Sequence, residues 1–185
     1  MIFGLQNEPH DLDLSKWKET LQRAVNSIRS NGATSQYIIL PGSLYSHPEE
    51  FQNSFNYLKD IVDSDGSKWR LLLEIHKYLD SDGSGLTPDC SNNGVEDMKR
   101  VHEILVNSNR QAFITETGGG NNQNCIDRAG EFIDFLQFHA SSFFGWIVWS
   151  AGSFSEDYTL SVVPSSNGED RPIWKSSYKL RLPHH

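Results

Sequence analysis

The chain has 185 residues, a formal net charge of −8, and acidic and basic side chains interspersed along its length. That length suits one domain with a real core, and the charge pattern lacks the one-sided basic stripe of a nucleic-acid binder. No apolar run approaches the roughly 18 residues of a membrane span, and the opening "MIFGLQNEP" lacks the basic start and long apolar stretch of a signal peptide.

The first apolar segment, residues 2 to 6 of "IFGLQNE", predicts a buried strand that ends at Asn7 and Glu8. Glu8 precedes Pro9, and a residue before proline is held extended. The expectation is a carboxylate aimed by stiff backbone with Asn7 beside it; a polar strand end without chemistry is the plainer alternative. Leu14, Trp17, Leu21, Val25 and Ile28 then step by three or four, predicting a helix that Gly32 is placed to stop. "QYIILPGS" is a second strand, and residues 49 to 61 are a weaker helical candidate. "RLLLEIHKYL" is a third strand, with His76 and Tyr78 near its end, and Val95, Met98, Val101 and Leu105 mark another helix. "QAFITETGG" is a fourth strand carrying Glu116, followed by a helical stripe of Ile126, Ala129, Ile133 and Leu136. "FFGWIVWSAGS" is the fifth. Alternation places Trp146 and Trp149 on opposite faces of it, so at most one is simply packed on the helices.

With Gln6, Leu40, His76, Glu116 and Trp149 as markers, the strand ends are separated by 34, 36, 40 and 33 residues, the length of a strand, a helix and two loops. Strand and helix in alternation predict a parallel α/β sheet with crossover helices, and near-continuous apolar strands predict a sheet covered on both faces. Polar residues gather at the strands' C-terminal ends, where such folds build their sites. Glu8 and Glu116 therefore share one rim, with "TGGG" expected to leave open space beside Glu116. Two acids across a cleft are the minimal apparatus for cleaving a glycosidic bond, one donating a proton and the other attacking or activating water. Like charge is expected to keep the less well hydrogen-bonded acid protonated as the donor. Trp149 offers a stacking face for a sugar, against the alternative that it belongs to the core. His76, Tyr78 and Asn7 offer polar contacts.

The segments "IFGLQNEPHD", "NGATSQYIILPG", "HKYLDSDGSG", "NRQAFITETGGGNNQNC" and "GWIVWSAGSF", in this order and spacing, resemble the fungal endo-β-1,4-glucanases (cellulases) of glycoside hydrolase family 5, which are (β/α)8 barrels. The resemblance implies a retaining mechanism with Glu8 as acid/base and Glu116 as nucleophile, polar roles for Asn7, His76 and Tyr78 around the reacting sugar, and a stacking role for Trp149. It also implies a bridge between Cys90 and Cys125, a β-glucan substrate and an extracellular location; from the motifs weighed below, no cofactor and no metal are expected. The "NEP" strand is the fourth in the family. The expected fold is thus a partial, half TIM barrel: one domain over residues 1–185, units four to eight, lacking the first three strands and the arginine that holds the nucleophile. Arg70 and Arg110 precede their strands and lie at the opposite end of the sheet. An unclosed sheet has bare edges and an apolar face without its other half, which predicts a homo-oligomer covering them. It also predicts weak activity, with a non-catalytic, self-associating remnant that at most binds glucan as the alternative.

Other signals carry less. "DSDG" at Asp63 and at Asp80 lacks the glycine of a calcium loop at its sixth position and reads as a solvated turn. "VHEILV" lacks the second histidine of a zinc motif, and "TGGGNN" lacks the lysine of a phosphate loop. His10, His47, His102 and His139 read as surface or loop residues, and the terminal His184 and His185 are given no role.

Overall fold

The computed structural model describes residues 1–152, 155 and 157–182; His184, His185 and the Ser153–Phe154 end of the last strand motif lie outside these. Five strands, β1 (Ile2–Gly4), β2 (Tyr37–Leu40), β3 (Leu71–Tyr78), β4 (Ala112–Gly118) and β5 (Phe143–Val148), form one sheet in sequential order with every neighbouring pair parallel. The crossovers are α1 (Leu14–Ser30), α2 (Phe51–Leu58), α3 (Val95–Ser108) and α4 (Gln123–Phe138). This is the expected half barrel of five βα units.

The helices form where the apolar stripes predict them. Asp13 caps α1 by accepting from the backbone N–H groups of Ser15 and Lys16, satisfying donors that a helix start leaves free. The α1 stripe then packs Leu21 and Val25 into the core, and the chain leaves the helix through Asn31 and Gly32, the latter at φ +91°. The candidate at residues 49 to 61 is shorter than its pattern: a 3-10 turn over Pro48–Glu50 precedes α2.

One expectation needs correction. The helices cover one face of the sheet, packing on Ile38, Leu40, Leu71, Leu73, Ile75, Ala112 and Ile114. The other face is covered only in part: β3 is buried throughout, whereas β1 and β5 each leave residues exposed, Ile147 to 50%. On that face the rings of Tyr37 and Phe144 meet at 4.7 Å, and Phe113 and Trp69 join them. Tyr37 and Phe144 stand on β2 and β5, which a flat sheet would hold about 14 Å apart, three strand spacings. Their contact requires the sheet to curl toward the uncovered face.

The "DSDG" turns also differ from expectation, since both leading aspartates are buried. Asp63 makes a two-pronged ion pair with Arg29 of α1, at 2.7 and 2.8 Å. Asp80 accepts from the backbone N–H groups of Gly85 and Thr87 and shapes the loop after β3. The segment after β5, unassigned by periodicity, returns to the helices through a helical turn at Trp174–Tyr178, burying Ile173 and Tyr178.

Candidate active site

The curl brings the two acids together. Glu8 follows β1 and Glu116 lies on β4, three strands away, yet a carboxylate oxygen of each and a ring nitrogen of His76 all lie within 4.8 Å of one another. Nδ1 of His76 is 2.9 Å from Oε1 of Glu8 and 3.6 Å from Oε2 of Glu116. Tyr78 donates its hydroxyl hydrogen to Oε2 of Glu116 at 2.6 Å. His76 and Tyr78 project to the same face because they are two residues apart on β3.

Glu116 reaches that face by a different route. Strict alternation would turn it toward the helices with Ala112 and Ile114. A register shift intervenes: Ile114 pairs with Ile75 and Glu116 with His76, so Thr115 is an extra residue on β4. The bulge points Thr115 at Glu74 and Glu116 at Tyr78, re-aiming a side chain as bulges near sites do.

Glu8 departs from its expected backbone. Its φ is +44°, in the left-handed region rather than extended, a conformation disfavoured for a non-glycine residue and more so before proline. Such strain persists where surroundings enforce it, and here Glu8 is held by His76 while Pro9 O accepts from the N–H of Tyr45 at 3.1 Å. The glycines after Glu116 also behave differently from expectation: they leave no open space. A Cβ on Gly118 would lie 2.6 Å from the Trp149 carbonyl oxygen, and one on Gly120 would lie 2.1 Å from that of Pro88. Gly119 abuts the disulfide that joins Cys90 to Cys125 and ties the loop after β3 to α4.

The electrostatics separate the groups. Burial raises the carboxyl of Glu116 above its ordinary range, opposed by the Tyr78 hydrogen bond and the nearby His76. For His76, burial works against the charged ring, but the Glu74 carboxylate 3.8 Å away, the hydrogen bond to Glu8 and the nearby Glu116 outweigh it and hold the imidazole above its usual value. Burial also pushes the Tyr78 hydroxyl up, so it stays a donor.

Trp149 sits just past β5, its N–H bonded to Thr117 O and its indole donating to Tyr158 at 2.8 Å; at 36% exposed it leaves a face to solvent, while Trp146 packs toward Tyr178. Asn7 is exposed, and among the described residues its side chain makes no hydrogen bond to either acid. Sequence reasoning missed the left-handed turn at residues 44 to 46, which carries Tyr45 to a cavity of about 400 Å³ shared with Glu8, His47, Asp82, Ser84 and Leu86. His47 is therefore part of the site's surroundings rather than an ordinary loop residue, and burial lowers its pKa.

Residues 1–155 match the cellulase family, glycosyl hydrolase family 5. The chain belongs to this family. It is 41% identical over 184 residues to Endoglucanase 1 of Saitozyma flava, spanning 99% of this chain and 54% of that protein. It is 39% identical over 186 residues to the manganese dependent endoglucanase Eg5A of Phanerodontia chrysosporium, spanning 99% of this chain and 48% of that one. The crystal structure of Cel5A (EG2) from Hypocrea jecorina superposes with a TM-score of 0.92 at 38% identity, over 95% of this chain and 55% of that one. This cellulase-family chain thus spans about half the length of the relatives it matches. No described helix is long and apolar enough to cross a membrane.

Proposed function

We propose that the chain is a retaining glycoside hydrolase acting on β-1,4-glucan, residues 1–185 forming one unit that corresponds to units four to eight of a (β/α)8 barrel. The observation that carries this is the approach of the Glu8 and Glu116 carboxylates, with an oxygen of each within 4.8 Å of the other, which supports the short separation that direct attack needs. Glu116 attacks the anomeric carbon as Glu8 passes its proton to the departing glycosidic oxygen. Glu8 then takes a proton from water, whose oxygen displaces Glu116 and completes hydrolysis with net retention. Tyr78 holds Glu116 in line and His76 bonds Glu8. Trp149 stacks on a pyranose ring, and Asn7 gives a polar contact to the sugar.

The disulfide fits an oxidising, extracellular setting. The unpaired edges of β1 and β5 and the exposed aromatic face support covering by a second copy; sedimentation giving a monomer at micromolar concentration refutes that part.

Hydrolysis of a soluble β-1,4-glucan by the wild type beside Glu116→Gln tests the enzyme reading. Turnover is expected only in the wild type, with glucan binding kept in both. Absence of turnover in the wild type leaves the remnant that binds glucan or only self-associates.

A further inference from the structure

Beneath the two acids lies a third that neither the motif nor the proposed reaction uses. Glu74 is two residues before His76 on β3 and is only 7% exposed. A buried carboxylate is costly unless hydrogen-bonded and paired. Glu74 has both kinds of partner. Thr115, the bulged residue of β4, donates its hydroxyl to Oε1 at 2.9 Å, and Ser46 donates to Oε2 at 3.2 Å. The paired group is the His76 imidazole, 1% exposed, whose Nε2 is 3.8 Å from Oε1.

Two irregularities converge on this residue. The β4 bulge delivers Thr115 to it. Leu44, Tyr45 and Ser46 hold φ of +49°, +59° and +59°, three successive non-glycine residues in the left-handed region, and this turn delivers Ser46. Left-handed backbone is disfavoured for residues other than glycine, so the turn is retained against a local preference.

We propose that Glu74 is a positioning residue for the reaction: by engaging Nε2 of His76 it fixes the ring with Nδ1–H directed at Glu8 and keeps a positive charge under the acid/base. The consequence falls on the acid/base cycle. Once Glu8 has given up its proton, it becomes a carboxylate facing a protonated imidazole 2.9 Å away, a charge-assisted hydrogen bond that stabilises the form left after donation. A neutral His76 could keep the bond but not the charge. The groups that bear on His76 are Glu74 on its own strand, Glu8 after β1, Glu116 on β4 and the more distant His47.

This inference rests on the hydrolase reading for its meaning, but its test reads the ring directly. The 185-residue chain is labelled with 15N-histidine and the His76 nitrogens are followed through a pH titration. In the wild type both nitrogens are expected to be predominantly protonated at about pH 6.5, where a free imidazole is half charged; a neutral ring there overturns the proposal without any variant. Glu74→Gln is expected to lower the proton affinity of His76 about tenfold or more, whereas Thr115→Val, which keeps the Glu74 charge, leaves it charged at that pH. A folded Glu74→Gln whose His76 titrates like the wild type refutes the role. If the chain hydrolyses glucan, Glu74→Gln also shifts the pH profile of kcat, with Glu74→Asp restoring part of it. If it does not, the titration still decides.

Discussion

Tyr78 donates a 2.6 Å hydrogen bond to Glu116 across neighbouring strands. It is the one hydroxyl fixed on that carboxylate among the described residues, and a bond to a charged acceptor contributes about 1.5–3 kcal/mol. Tyr78→Phe is therefore expected to keep the fold and reduce kcat by about tenfold to hundredfold. Steady-state kinetics on a soluble β-1,4-glucan check this, and an unchanged kcat in the variant would contradict it.

The pH dependence follows from Glu116. Burial raises its carboxyl, and attack in the proposed reaction requires the ionised form, so turnover is expected to be lost as pH falls through that raised value. The acidic limb of kcat/KM is expected above the ordinary glutamate value of about 4.3. Tyr78→Phe should move the limb higher, because it removes a bond that favours the carboxylate. A limb at or below 4.3 would separate Glu116 from the nucleophile role.

Stability has its own acid dependence at Asp63, whose carboxyl the Arg29 guanidinium holds below the usual aspartate range. A lowered folded-state pKa stabilises the fold above the unfolded aspartate value of about 3.9, and the contribution disappears as pH falls through the folded-state value. Arg29→Met leaves the buried aspartate short of its main partner and is expected to cost about 3–5 kcal/mol at neutral pH. Urea unfolding from pH 7 down to pH 3 should show the two proteins converging.

Gly120→Ala probes close approach at the end of β4. Its methyl group would lie 2.1 Å from a backbone oxygen of Pro88, which cannot rotate away, so a loss of about 1–3 kcal/mol is expected. Gly66→Ala is a useful contrast, since its Cβ would meet nothing within 4 Å and only its φ of +76° opposes the change. Thermal melts that put Gly120→Ala at the wild-type midpoint would refute the packing argument.

The bridge from Cys90 to Cys125 closes a separation of 35 residues, for which loop entropy predicts about 3–4 kcal/mol. Replacing both cysteines with serine is expected to lower the urea midpoint accordingly. The altered loops flank Gly119, so activity should fall as well.

What could be read from the residues alone was whatever regular periodicity carries. The α1 stripe, the five strand segments and the shared rim of Glu8 and Glu116 follow from steps of two, three and four. His76 and Tyr78 stand two residues apart near the C-terminal end of β3 and so share a face. The features that escaped are local breaks of period: Thr115 as an extra residue, Glu8 at positive φ, and the left-handed turn at residues 44 to 46. Glu74 was hidden inside an apolar run, and its partners come from the bulge of β4 and the left-handed turn at residues 44 to 46. Tyr178 and Ile173 lack a helical stripe because a single turn is too short to display one.

The clasp between Tyr37 and Phe144 bears on how such folds can be rearranged. Because rings on the second and fifth strands hold the bend from within, aiming the acids and completing the ring are distinct tasks. A designer could graft these units onto any scaffold whose strands extend β1 and β5, and the carboxylates would arrive already facing one another.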